Sequence, residues 1–498
     1  MRGMSLGIGM ALGLVLACGG GSGTPPPVPL PAPAITVAIS PSGASLWTGG
    51  TQAFQATVTG NSNQSVVWSV VEATGGSISG TGLYTAPASA GSFRIKATCV
   101  ADPSRSAQVG VTVSVQPAPG GCNGAALGSG ASLQGFTPFP ADNVWNRDVS
   151  ADPVDPNSTA IIAFIGAGTG LHPDFGAGLY GGSPIGIPYT VVASSAQAKV
   201  PVTFTAYGGE SDPGPMPLPA TAPVEGGNGS TGDRHVLVMD RDACVLYELY
   251  RAFLQPNGSW TADAAAIWDL KSNTLRPYGW TSADAAGLPI FPGLARYDEV
   301  AAGAIAHALR FTVPTSRKAY VLPATHWASS NTSTSAPPMG LRVRLKASVD
   351  LSAYPLQARV VLTALKRYGM ILADNGSPWF ISGAPDDRWD NTQLGTLSGI
   401  KGADLEVVQM DTVYTSNPTG TVPAIASLTA APTSIAAGGS AVLTWGTTNA
   451  TRWFITPDLG WVTGTSATVR PATTTTYVLQ AQGPYGSVTR TVQVVVTP

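Results

Sequence analysis

Residues 92–102, SFRIKATCVAD, and 108–115, QVGVTVSV, alternate apolar and polar side chains with a period of two, and a turn containing Pro103 separates them. That period fits strands with one face on a core and the other in water. Upstream the same pattern continues in ITVAISP (35–41), QAFQATVTG (52–60), SVVWSVVEA (65–73) and GLYTAP (82–87), punctuated by Gly, Ser and Asn. Short strands at this spacing predict a β-sandwich over 35–116.

The whole chain is too long for one ordinary domain, since 498 residues give a prior of about three. Only 11% of residues are charged and the net charge is −2, so the electrostatic footprint of a nucleic-acid binder is missing. Abundant glycine (59) and proline (42) with Val-Thr alternation point to β-rich extracellular modules. The expected fold class is multidomain and mainly β, with two sandwiches flanking a larger α+β domain.

The segments SPSGASLWTGGTQAFQATVTG (40–60), VVWSV (66–70) and GTGLYTAPASAGSFRIKAT (80–98) resemble bacterial immunoglobulin-like repeats. A second module over 424–498 is similar to the same family, through TWGTTNAT (444–451), TTTTYVLQAQ (473–482) and GSVTRTVQVVV (486–496). Neither contains a histidine and both are poor in acids, so they read as spacers or binders.

At the N-terminus, Arg2 and the apolar MSLGIGMALGLVLA (4–17) have the length of a signal peptide and are short for a bilayer span. Val15-Leu16-Ala17-Cys18 resembles a bacterial lipobox, which implies cleavage after residue 17 and lipidation of Cys18. The following 18–34 is a Gly- then Pro-rich tether. The resemblance implies an exported, lipid-anchored envelope or cell-surface protein, and the glycine after Cys18 is compatible with the outer membrane. Of the remaining cysteines, Cys122 and Cys244 are the expected disulfide pair, leaving Cys99 free.

The composition changes over 122–415, which holds all four histidines and seven of the twelve tryptophans. PLQARVVLTALKRYG (355–369) carries the stripe Leu356, Val360, Val361, Ala364, Leu365, Tyr368, with Pro355 at its start and Gly369 at its C-cap. Further helices are expected over 155–168 and 292–303, and Asn375-Gly376 predicts a hairpin within GMILADNGSPWFISG (369–383). The series NVWNRDV (143–149), GDRHVLVMDRDACVLYELY (232–250) and YGMILADNGSPWFISGAPDDRWDN (368–391) resembles an uncharacterised domain of secreted bacterial proteins, a likeness that assigns no activity.

Candidate chemistry centres on 231–253, TGDRHVLVMDRDACVLYELYRAF, read as two strands around Asp240–Ala243. A symmetrical loop pairs Met239 with Cys244 and brings His235 opposite Glu248, a cross-strand couple suited to general acid–base work. A bulged loop abolishes that pairing, and a self-satisfied polar knot is the structural alternative. Asp233 is expected on the same side as His235, and His172 with Asp174 in LHPDFG (171–176) completes a possible acid–base or hard-metal cluster. The acidic, Pro-rich loop 209–227, carrying Glu210, Asp212 and Glu225, offers one wall of a cleft. Arg276 and Trp280 are expected to line it, while Asp298 and Glu299 belong to a helix. His307 reads as a core histidine and His326, beside Trp327, as open. Asp386–Asp390 reads as a turn with internal salt bridges.

No nucleophile elbow, P-loop, dinucleotide turn or zinc signature occurs. No cofactor is expected, with a divalent metal left open, and the expected state is a monomer. Two functions follow. One is acid–base cleavage of an extracellular polysaccharide, by hydrolysis or elimination, with His235, Glu248, Asp233 and His172 as catalytic groups and Asp174, Arg276, Trp280, Glu210 and Asp212 on the substrate. The other is non-catalytic adhesion or glycan binding at a cell surface.

Overall fold

The structure, a computed structural model, describes residues 34–114 and 121–497. The signal, Cys18 and the tether to residue 33 lie outside the described residues, as does the end of the first module at 115–116. The protein is multidomain and mainly β.

In the N-terminal Ig-like module, Gly43–Trp47, Ser106–Ser114, Gly91–Cys99 and Val66–Val70 form a four-stranded sheet in that order. The alternation in 92–102 does what its period dictates: Phe93, Ile95, Ala97 and Cys99 turn inward, and Phe54 and Tyr84 close the core. The C-terminal module begins at Ala424 and packs a three-stranded sheet against a five-stranded one around Leu443, Trp445, Tyr477 and Leu479.

Two large sheets, with a two-stranded and a three-stranded one beside them, build the central domain. The first has the order Gly128–Ser129, Tyr189–Val192, Val236–Asp240, Val245–Tyr250, Ala264–Asp269, and the second has six strands with Leu309–Val313 near its middle. One apolar core spans both, and the helix Leu356–Arg367 packs on it. That helix ends as its sequence predicts: Gly369 sits at φ 68 and its N–H reaches back to Ala364 O at 3.1 Å. The helix expected over 155–168 forms as Ser158–Ile165, whereas that over 292–303 shrinks to Tyr297–Ala301.

Asn375-Gly376 does not make a hairpin. Strands Met370–Asn375 and Phe380–Ser382 lie on opposite sides of Leu309–Val313, parallel and antiparallel to it respectively. The type I′ turn that Asn-Gly favours needs positive φ at both positions, and the positive φ here falls on Trp379 instead. Segment 171–176 supplies the short strand His172–Asp174, parallel to Phe380–Ser382.

Cys122 and Cys244 are disulfide-bonded with a Cα–Cα distance of 5.3 Å, and Cys99 is free and buried. The C-terminal module is docked on the central domain rather than set apart as a spacer. Phe454 enters a central-domain cluster with Met216, Val238 and Trp260, Thr456 Oγ1 donates to Gly214 O at 3.1 Å, and Tyr278 N–H donates to Pro484 O at 2.8 Å. No helix among the described residues is long and apolar enough to cross a membrane.

Candidate functional site

The hairpin register decides which groups meet. Leu237 pairs with Glu248 and Met239 with Leu246, so the symmetrical count with Met239 opposite Cys244 is wrong by two residues. The reason is the loop. Asp240 Oδ1 accepts the N–H groups of Asp242 at 3.0 Å and Ser194 at 3.1 Å, and Cys244 takes φ 59 where its disulfide holds it. The position opposite His235 is therefore Tyr250, whose ring centroid lies 5.7 Å away.

Glu248 is fully buried and is not a catalytic partner of His235. Its carboxylate accepts from Trp268 Nε1 at 3.0 Å, Ile290 N at 2.9 Å and Phe291 N at 2.8 Å. Burial pushes it up to about 7 although these donors pull the other way. It clamps the hairpin to the turn at 290–293. Glu248→Ala orphans three buried donors, and the expected loss is about 3–5 kcal/mol in denaturant melts with specific activity kept by the folded fraction. Equal melting midpoints, or a folded but inactive variant, would contradict this assignment.

His235 finds its carboxylate on the acidic loop. Its Nδ1 lies 2.5 Å from Glu225 Oε2 and its Nε2 2.9 Å from the carbonyl oxygen of Ala283. Both nitrogens face acceptors, so both carry protons. Burial alone pushes the imidazole down, but the Glu225 charge and hydrogen bond lift it to about 9, and Glu225 is held below its usual range despite its own burial. This ion pair is fixed at neutrality and serves as a strut, not as a base. The sign for stability follows. The proton gained on folding stabilises fully below His235's ordinary value of 6.5 and is lost as pH rises through about 9. Stability of the wild type is expected to fall by about 2–3 kcal/mol between pH 6.5 and 9.5, with a flatter profile in Glu225→Gln, by urea melts across that range. Parallel slopes in the two proteins would remove the pair's role.

Asp233 and His235 do reach one cavity, although the extended chain that the alternation assumed is broken between them. Arg234 sits at φ 50, and its guanidinium is tied to the carbonyl oxygens of Ala252, Asn228 and Ser230 at 2.8–3.1 Å. The cavity has a volume of about 300 Å³ and collects residues from five segments of the chain, among them Tyr207, Tyr250, His326 and Asp374. Asp284 closes its floor as half of a buried ion pair. Arg310 Nε and Nη2 donate to the two Asp284 oxygens at 2.6 and 2.7 Å, Nη1 donates to Ser382 Oγ at 2.7 Å, and Nη2 stands 3.6 Å from Asp374 Oδ2.

Asp374 is the poised group. Burial and the adjacent Asp284 charge push it up to about 7 against the pull of Arg310. His326 Nδ1 lies 2.8 Å from the Ala285 carbonyl oxygen, which fixes the proton on Nδ1 and leaves Nε2 as the basic nitrogen. The cavity therefore holds both a carboxyl raised to about 7 and an imidazole whose Nε2 makes no hydrogen bond among the described residues. Asp374 was hidden in the sequence by its turn-like setting before Asn375-Gly376, and His326 carried no pattern beyond its loop position.

The remaining candidates lie elsewhere. His172 and Asp174 are exposed on their strand and do not line the cavity, and His172 stacks on Phe380 with centroids 4.0 Å apart. Arg276 and Asp212 are buried and paired at 2.7 Å, Asp212 also accepts from Ile267 N at 2.9 Å, and Arg276 Nε donates to Thr281 O at 2.7 Å. Glu210 Oε2 accepts from Thr281 N at 3.0 Å, and Trp280 lies against the Arg276 guanidinium, 5.4 Å from centroid to Cζ. None of these four touches the cavity. They brace the 281–284 wall from behind, because a run of buried backbone needs its polar groups satisfied. His307 is buried, as expected of a core histidine, but it lies just before the strand Leu309–Val313 and packs on charged Arg296 and Glu299. Among the described residues no group of three or more His, Cys, Asp or Glu side chains is arranged to hold a metal ion.

No family model matches the chain, and no curated protein matches it. Among solved structures, an eight-Ig-domain fragment of Down Syndrome Cell Adhesion Molecule aligns at 8% identity over 93% of this chain and 48% of that one, with a TM-score of 0.13. A four-Ig-domain fragment of Dscam1 isoform 4.44 aligns at 10% identity over 93% of this chain and all of that one, with a TM-score of 0.15. Those scores carry no comparison of sites.

Proposed function

We propose that the central domain is a hydrolase acting on a hydroxyl-rich extracellular polymer, most simply a polysaccharide, at the cavity between Asp374 and His326. The observation that carries this reading is Asp374 raised to about 7 in the same cavity as His326, whose Nε2 makes no hydrogen bond among the described residues. A group with its pKa near the working pH gives and takes protons most effectively. One of the pair would take the proton of the attacking water while the other protonates the leaving glycosidic oxygen. Tyr207 and Tyr250 offer aromatic faces to the C–H faces of a sugar ring.

Elimination fits less well. It needs a cation to hold the uronate carboxylate, yet the cations near the cavity, Arg310 and His235, are committed to Asp284 and Glu225. With Asp233 and Asp374 also present, the cavity favours a neutral or cationic sugar. A non-catalytic glycan-binding reading draws support from those same committed pairs, since most charged groups of the site are spent internally.

The lipobox-like Val15–Cys18 would anchor this module at the envelope, the outer membrane being the favoured surface, and Cys18→Ser is expected to move the protein out of the membrane fraction. The test of function is the full chain incubated with neutral, amino and acidic polysaccharides, with products sized by mass spectrometry. New reducing ends without unsaturation, lost in His326→Gln, support hydrolysis. Unsaturated products mean elimination, and saturable binding without products means an adhesin.

A further inference from the structure

The seam between the central domain and the C-terminal module contains a crevice of about 200 Å³ lined by Arg276 and Tyr278 on one side and Thr451, Arg452, Gln482 and Pro484 on the other. The two guanidiniums differ in one respect. Arg276 is neutralised by Asp212 at 2.7 Å, and that carboxylate is fully used, with Gln482 Nε2 on its Oδ1 at 2.5 Å and Ile267 N–H on its Oδ2 at 2.9 Å. Arg452 has no such partner. Among the described residues no carboxylate lies within 4.0 Å of it, its buried Nη2 makes no hydrogen bond, and its contact is the face of Trp461, 4.2 Å from the ring centroid. Burial foremost, with the like charge of Arg276, pushes Arg452 down to about 10 against the more distant charges of Asp212 and Asp269, so it is charged at neutral pH.

A guanidinium with no carboxylate in contact and a buried Nη2 left unbonded gains from an anion in the crevice, and its planar fork matches an oxyanion. We infer that this crevice is an oxyanion site at the module seam, taking the carboxylate, sulfate or phosphate group of a ligand that touches both modules. It is separate from the Asp374 cavity and does not depend on what that cavity does. Because its walls come from both modules, an occupant stabilises their docked arrangement and raises the melting temperature by mass action.

The test titrates the full chain by calorimetry with sodium glucuronate, sodium phosphate and sodium sulfate, each against sodium chloride at matched ionic strength, with melting curves in parallel. Saturable binding of at least one oxyanion, with a rise in melting temperature, is expected. Glucuronate alone identifies an acidic sugar as the source, and phosphate or sulfate alone identifies an inorganic anion or an ester. Arg452→Met keeps the stem on Trp461 and is expected to weaken binding by about ten-fold or more, while Arg452→Lys, with a charge but no fork, retains part of it. The absence of saturable binding by all three anions overturns the inference, as does unchanged affinity in Arg452→Met. Should that variant not fold, unchanged affinity in Arg452→Lys is the overturning result.

Discussion

Asp374→Asn is expected to lower turnover by about 10²–10⁴-fold and at the same time to make the protein more stable at pH 8. The two effects have one cause. Folding moves this carboxyl from its ordinary 3.8 up to about 7, chiefly by burial and then by the charge of Asp284. A carboxyl raised on folding costs stability once the unfolded chain has released its proton. The penalty is absent near pH 3.8 and below, grows as pH rises through the window to 7, and is complete by pH 8. Three pH units correspond to about 4 kcal/mol, and the remaining solvent contact of this side chain brings the expected gain to about 2–4 kcal/mol. Asparagine keeps an oxygen for the Asn375 N–H, now accepted by Asp374 Oδ1 at 2.6 Å. Urea melts at pH 4 and pH 8 with product assays on the same samples provide the check. A variant that is less stable at pH 8 would make Asp374 a structural carboxylate, and one that keeps its turnover would move the chemistry to another group. Loss of activity joined to gain of stability is the mark of a group kept in an unfavourable state for function.

Much of the architecture was legible because it depends on local periodicity. The inward residues Phe93, Ile95 and Ala97 follow from a period of two, and Gly369 at positive φ follows from the end of an amphipathic stripe. The disulfide between Cys122 and Cys244 was accessible to counting. The site was much less legible, because its groups are brought together by long-range pairing. Glu225, at the end of the Pro-rich loop, meets His235 across a Gly-rich turn, and Arg310 reaches Asp284 from the strand Leu309–Val313. Glu248 misled for a local reason: the side chain of Asp240 sets the loop length, and that shift in register leaves Glu248 opposite Leu237 and beneath the turn at 290–293. The acidic loop 209–227 and Arg276 with Trp280 stood out in the sequence as cleft walls, but Glu210, Asp212, Arg276 and Trp280 brace the cavity wall from behind, and Asp212 meets Gln482 of the C-terminal module.

Arg310→Met carries the second large effect, an expected loss of about 3–5 kcal/mol, because it leaves Asp284 buried with no counter-charge. Asp284 is about 1% exposed and receives two of Arg310's donors, so no water replaces them. The double variant Arg310→Met with Asp284→Leu removes both charges and is expected to recover much of the loss, as replacement of a whole buried pair by apolar groups does. The same cycle reads the chemistry. Arg310 is the cation that pulls Asp374 down, and Asp284 is the anion that pushes it up. In the single variant the limb of the pH–rate profile set by Asp374 moves to higher pH, and in the double variant, with both influences gone, it returns toward the wild-type position. Melting curves and pH–rate profiles of the three proteins decide the matter. A single variant as stable as wild type would mean that Asp284 finds another partner. A limb that stays put while stability falls would mean that the ion pair holds the sheets together without tuning the acid.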